Sequence, residues 1–488
     1  WSSDVCSSDL HAARALYAMD TRDAALAQAA RCFDSGEFQR DLARRVALPT
    51  ESENPERATT LRAYLSEEIA PSLDALGIAS TVHDNPVAGA PPLLIGRRIE
   101  DVRWPTVLIY GHGDVVRGHE GRWRDDRDPW SLTPSGERWY GRGSADNKGQ
   151  HSINLAALAA LLKARAGSLG FNVTWLVEMG EEKGSPGLAE FCTAHRDELA
   201  ADVLIASDGP RLRVDRPTIY LGTRGVANFD LTLTLRDGGH HSGNWGGLLR
   251  NPGTVMAHAI ACLVDGRGRI LVEGLRPPPI PPSVRRALAD IEVGGDAHDP
   301  AIDLDWGEPG LTPAERVFAW NTVEVLACTT GNPAHPVNAI PPDARAHMQL
   351  RFVVGTAASR LREIVQTHLQ RHGFADIAVS EPVIMAATRL DPENDWVRLA
   401  MASIERTTGR KPALLPNLGG SLPNDVFADI LGLPTVWVPH SYPACSQHAP
   451  NEHVLVPVLR EGLLMMTGLF SDLAEQQATL PRRTPLRR

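Results

Sequence analysis

The chain has 488 residues, 43% of them hydrophobic and 22% charged, with a formal net charge of −10. That length exceeds one ordinary core, so two or more domains are expected. No apolar run approaches the roughly 20 residues of a membrane-spanning helix, and basic residues form no long run before the extreme C-terminus, so a soluble protein with small-molecule chemistry, rather than a membrane or nucleic-acid partner, is expected.

The opening WSSDVCSSDL lacks methionine and reads as the translation of a sequencing-adapter read. Residues 1–18 are therefore predicted to be artefactual or non-native and the natural chain to begin near Met19, a reading that resequencing the locus tests. The first residues also lack a secretory signal, and the six cysteines lie far apart with no CxxC pair. Neither a thiolate zinc site nor a disulfide framework is predicted, and a cytoplasmic location is expected.

An amphipathic stretch covers 23–45, and apolar, β-branched runs bounded by turn residues recur at 105–110, 172–177, 202–206 and 434–438. These are the pattern of strands buried on both faces of a mostly parallel sheet. A helical stretch at 150–166 lies between the first two, so strand and helix alternate as in an α/β domain with helices flanking the sheet. Beyond 225 the texture changes to alternating strands at 227–236 and 344–354, a helix at 359–372 and a proline-rich connection at 276–283. The prediction is a catalytic domain in two parts, 19–223 and 386–476, around an inserted α+β domain at 224–385, with a disordered tail at 477–488.

Ligands in α/β sheets gather at the carboxyl ends of strands, so the polar residues just past each apolar run carry the functional expectation. In GHGDVV, His112 and Asp114 stand two apart and point the same way on an extended chain. One can bind a metal while the other supports it, Asp114 accepting a hydrogen bond from the free imidazole nitrogen of His112. In GRGSADNKGQ, Asp146 sits in a glycine-rich turn before a helix, and alone it reads as a helix cap. In EMGEEKGSPG, Glu181 and Glu182 are adjacent carboxylates whose side chains diverge, which suits one metal ligand and one general base, in either order. Asp208 in SDGP reads alone as a turn residue, and His448 in QHAPNEH has Glu452 and His453 close by. Taken together, histidines and carboxylates at successive strand ends, without a cysteine, suit a pair of zinc, cobalt or manganese ions.

In this order the motifs GHGDVV, GRGSADNKG, EEKGSPG, SDGP, HSG, NAIP with a downstream arginine, GGS and HAPNE closely resemble the co-catalytic zinc peptidase family. That family contains carnosinase-type dipeptidases, glutamate carboxypeptidase, acetylornithine deacetylase and succinyl-diaminopimelate desuccinylase. The resemblance implies that His112, Asp146 and Asp208 hold one ion, that Asp146, Glu182 and His448 hold the other, and that Asp146 bridges them. It makes Glu181 the general base, implies a cis bond between Asp146 and Asn147, and makes His241 the residue that polarises the substrate carbonyl. Arg351 then holds the substrate's free carboxylate, Asn338 and Ser421 contact substrate, and the inserted domain serves as lid and dimer interface. Lys183 departs from the family's small or apolar residue after the glutamate pair, and DGGHHSG departs from its usual approach to HSG.

The resulting expectation is a hydrolase of amide bonds, first an exopeptidase acting on short peptides with a free carboxylate. An N-acyl amino acid deacylase is the enzymatic alternative, and a catalytically silent binding protein on the same fold the alternative of another class.

Overall fold

The computed structural model describes residues 21–294, 299–420 and 422–482. The expected non-native segment at 1–18, residues 483–488 of the expected tail, and Ser421 lie outside the described residues.

The chain divides into two compact units. Among the described residues, the first takes those up to Tyr220, Pro392–Leu414 and those from Val426; the second takes those within Leu221–Asp391 and Leu415–Asp425. The sequence-based boundaries assign 415–425 to the catalytic domain. The segment joins the second unit because Leu221 and Arg224 donate backbone hydrogen bonds to Leu415 and Leu418, and Leu418 returns one to Gly222. Within it, the buried Asn417 donates to the carbonyls of Thr223 and Thr388, holding the outgoing and returning chains together.

The first unit is built on an eight-stranded sheet. Its strands run, in order, Ala79–His83, Leu93–Arg98, Asn172–Glu178, Thr106–His112, Val203–Ala206, Thr435–Trp437, Thr218–Tyr220 and Ala413–Leu415. The four central strands pair in parallel, while Ala79–His83, Leu93–Arg98 and Thr218–Tyr220 join antiparallel. Every residue of Asn172–Glu178 and Val203–Ala206 is buried, as continuous apolar runs covered on both faces require. The helix Lys148–Ala164 owes its stability to an Ala/Leu-rich sequence and is buried throughout its first two turns, which makes it an interior element. The amphipathic stretch 23–45 is two helices, Thr21–Asp34 and Glu37–Val46. Gly36, at φ 76°, breaks it, a conformation that costs glycine little and other residues more.

The second unit is an antiparallel sheet of Thr322–Thr329, Asp343–Phe352, Gly225–Thr234 and Ala378–Val379, with Val383–Met385 also paired to Gly225–Thr234. Burial along Asp343–Phe352 follows the two-residue pleat, and the buried face packs on the helices Pro252–Leu263 and Leu361–Arg371 through Phe229, Met256, Met348, Leu350, Val365 and Leu369. A two-residue ribbon pairs His240–His241 with Ala339–Ile340.

Candidate metal centre

The centre lies in the first unit, where the parallel strands end. His112 is the last residue of Thr106–His112 and is fully buried. Its Nδ1 lies 3.1 Å from the carbonyl oxygen of Asp114 and 3.3 Å from Asp114 Oδ1, so donation toward Asp114 leaves Nε2 bare and aimed inward. The Asp114 carboxylate has a second task. Its Oδ1 accepts the Glu181 N–H and its Oδ2 the Glu182 N–H, each at 3.2 Å, which fixes the turn carrying both glutamates.

Asp146 does not cap the helix that follows it. The helix begins at Lys148, and Asn147, the residue at its N-cap, makes no side-chain cap. Instead Asp146 Oδ1 lies 3.0 Å from His112 Nε2, and Oδ2 lies 2.9 Å from His448 Nε2 and accepts a hydrogen bond from Gln447. One carboxylate thus serves two histidines from opposite sides. The Asp146–Asn147 peptide bond is cis. Gly149 is required beside it, because a Cβ there meets the Ser144 carbonyl oxygen at 2.0 Å.

Around this carboxylate the remaining expected residues converge. Glu182 Oε2 lies 3.1 Å from His448 Nε2, Asp208 Oδ2 lies 3.6 Å from His112 Nε2, and Glu181 Oε2 lies 3.9 Å from the same nitrogen. Two triads of donor atoms, His112/Asp146/Asp208 and Asp146/Glu182/His448, each fall within 4.8 Å and share Asp146. His448 adopts φ 60°, a left-handed conformation uncommon outside glycine, and its side chain is 53% exposed, so this triad is the one open to solvent.

The electrostatics suit a pair of divalent cations. Four carboxyls crowd a buried space that two imidazoles alone do not neutralise. Burial and then repulsion from Asp146 push Glu182 up to about 7 and Asp208 up to about 6. Glu181 is held well above the usual carboxyl range by burial and by Asp208, Asp146 and Glu182, against the pull of His112. Burial opposes ionisation of Asp146 as well, yet hydrogen bonds from His112 and His448 hold it low, and hydrogen bonds to Asp146 and Glu182 push His448 up to about 10. Asp208 Oδ2 is a buried oxygen with no hydrogen-bond partner. An orphaned acceptor among clustered carboxylates, with oxygen and nitrogen donors only, fits zinc, cobalt or manganese.

Sequence reasoning missed the residues that position this set. Glu452, 1% exposed, accepts the N–H groups of Ala145 and Asp146 on Oε1 and those of Gly143 and the Arg142 guanidinium on Oε2, at 2.7–3.1 Å. The whole Asp146 turn hangs from one carboxylate. Gln150, also buried, donates to the Ala145 and Gly209 carbonyls and accepts from the His440 N–H, tying the turns of Asp146 and Asp208 together. The signal for Glu452 was its place beside His448 in HAPNEH; Gln150 gave none. His453 is not among the ligands, since it pairs with Tyr442 and the Asn451 carbonyl.

His241, Asn338 and Arg351 belong to the second unit. His241 Nδ1 accepts the Gly243 N–H at 3.1 Å, capping the turn Ser242–Trp245, and the Asn338 carbonyl accepts the Ser242 N–H at 2.9 Å, so the ribbon brings His241 and Asn338 together. Arg351 lies on Asp343–Phe352, half-buried, its Nε donating to Gln349.

A sequence model of the peptidase family M20/M25/M40 matches residues 108–472. Cysteinylglycine-S-conjugate dipeptidase of Corynebacterium striatum is 27% identical over 383 residues, covering 76% of this chain and 80% of its own. Beta-Ala-His dipeptidase of Mus musculus is 25% identical over 478 residues, covering 91% and 94%. Among solved structures, an M20 family metallo-carboxypeptidase of Sulfolobus solfataricus superposes with TM-score 0.72 at 25% identity, over 90% of this chain and 99% of that one. Human carnosine dipeptidase 1 shares the fold with TM-score 0.70 at 23% identity, over 92% and 99%.

Proposed function

The chain belongs to peptidase family M20/M25/M40, and on that premise we propose a division of labour among the residues of its metal centre. The enzyme is a metal-dependent exopeptidase. His112, Asp146 and Asp208 hold one divalent ion, and Asp146, Glu182 and His448 hold the other. The observation that carries this reading is the sharing of Asp146, one oxygen toward each histidine. Zinc is the first choice, with cobalt or manganese able to replace it.

When bound, the ions acidify water and polarise the scissile carbonyl. Everything else falls to the chain. Glu181 stands at the edge of the cluster, its side chain 17% exposed, and takes the proton of the attacking water. It then hands that proton to the leaving nitrogen. Asp114 sets the reach of Glu181 by gripping the backbone of both glutamates, and it holds the His112 tautomer. By the motif resemblance we assign His241 to the developing oxyanion, Arg351 to the substrate's free carboxylate through its planar fork, and Asn338 and Ser421 to further substrate contacts. These four roles rest on the motif resemblance.

The substrate we infer is a dipeptide or short peptide with a free C-terminal carboxylate, in keeping with the two dipeptidases the chain resembles. We further infer a homodimer formed through the second unit, supported by the edge strand Thr322–Thr329, where Val325 and Leu326 are exposed.

Glu181→Gln tests the scheme. The variant is expected to bind the same two ions and unfold at the same temperature, while turnover on a dipeptide panel falls on the order of 100- to 10,000-fold, the range of general acid–base catalysis. Near-normal turnover defeats the assignment, and hydrolysis by the unaltered enzyme of N-acyl amino acids alone defeats the peptidase reading.

A further inference from the structure

We propose that the second unit carries a separate binding site for a zinc-type ion, formed by Cys262, His368 and His372. The Cys262 sulfur and one ring nitrogen of each histidine lie within 4.8 Å of one another, close enough for a single ion to touch all three. No ligand of the dinuclear centre takes part, and the site does not depend on the reading of that centre.

The fold builds this cluster from two helices. Cys262 sits in the last turn of Pro252–Leu263, and His368 sits in the last turn of Leu361–Arg371. His372 follows four residues later, which is one helical turn and places both imidazoles on the same face. Their rings stack with centroids 4.2 Å apart and planes 26° from parallel. The core residues Met256, Ala259, Leu263, Val365 and Leu369 pack between the helices and hold their ends in register.

Backbone contacts prepare the rings for binding. The His372 Nδ1–H donates to the His368 carbonyl at 2.9 Å, which leaves His372 Nε2 as a bare lone pair, the arrangement common for metal-ligating histidine. His368 Nε2 lies 2.8 Å from the Cys262 carbonyl, and the Cys262 thiol donates to the Ala259 carbonyl at 3.0 Å. These are contacts to main-chain oxygens of the helices themselves, so exchanging them for an ion leaves no side chain unpaired.

One thiolate and two imidazoles leave a fourth tetrahedral position open, and His372 is exposed, so that position faces solvent. Sulfur with imidazole favours zinc or cobalt over magnesium, calcium or manganese. The sequence hides the site because its cysteine and the first of its histidines are 106 residues apart, without the short spacing of a zinc motif. An ion there clips the ends of the two helices that cover the sheet of this unit.

Cobalt(II) titration of the chelator-stripped full chain tests the proposal, because the dinuclear centre has no cysteine and a sulfur-to-cobalt charge-transfer band in the near ultraviolet can come only from a thiolate. The expected result is saturation at three equivalents with such a band, which zinc abolishes. Cys262→Ser and His372→Asn should each bind two equivalents, lose the band and keep dipeptide hydrolysis. His372→Asn, at an exposed ring, keeps the test open if Cys262→Ser does not fold. Absence of the band at saturation, however many equivalents bind, or a band unchanged in the variants, overturns the site.

Discussion

Glu452 supports the ligand set from outside it. It is paired with Arg142, both side chains 1% exposed, while its two oxygens also take three backbone N–H groups of the turn that presents Asp146. Glu452→Gln removes the charge and replaces one acceptor with a donor that faces donors. Apparent affinity for zinc, measured by competition with a chromophoric chelator, should fall roughly 10- to 100-fold, as for other residues that orient ligands. Urea unfolding should show a loss of about 3–5 kcal/mol, since the Arg142 charge, which also donates to the Ala449 carbonyl, is left buried without a counter-charge. Unchanged zinc affinity in a folded variant removes Glu452 from the positioning role. The contrast with His112, Asp146 and Asp208 shows what a sequence makes legible. His112 and Asp208 stand at strand ends, where periodicity predicts a site, Asp146 stands in a glycine-rich turn before a helix, and an ordered set of motifs sorted their roles. Glu452 stands in the sequence only as a neighbour of His448, and its task comes from a turn some three hundred positions away that packs onto it.

At the level of elements, the first unit is closed by an ion-pair cluster among three helices. Arg22 of Thr21–Asp34 and Arg406 of Asp395–Thr408 both reach Asp472 Oδ1 of Val456–Gln476 at 2.9 Å, and Arg22 and Asp472 are each 4% exposed in their side chains. Asp472→Asn should therefore lower unfolding free energy by about 3–5 kcal/mol in urea, with the metal content of the folded protein unchanged. A shift under 1 kcal/mol would show that these helices hold by apolar packing alone. Strands and helices were largely legible because 106–112, 172–178 and 203–206 are continuous apolar runs. The break at Gly36 was missed, since an amphipathic pattern runs across it and only the positive φ reveals the turn. Likewise the antiparallel strands Ala79–His83, at the sheet edge, and Leu93–Arg98, beside it, have mixed burial or polar ends and gave no clear period.

For the molecule as a whole, the chain returns to the second unit at Leu415–Asp425 after it has rejoined the first. Such a crossing depends on Asn417 and on backbone hydrogen bonds between distant segments, which composition cannot show. Among the described residues no helix is long and apolar enough to cross a membrane. The proposed dimer is tested by sedimentation equilibrium of Val325→Lys/Leu326→Asp, a pair placing charge on the exposed edge strand. The unaltered chain should sediment at twice its own mass and the variant at once its mass; a monomeric unaltered chain contradicts the pairing.

The central claim is that one carboxylate, Asp146, is shared by two ions. Anomalous diffraction at the zinc edge from zinc-loaded crystals addresses it directly. The expected map has two peaks flanking Asp146, one beside His112 and Asp208 and the other beside Glu182 and His448. A single peak, or a pair that leaves Asp146 out, contradicts it.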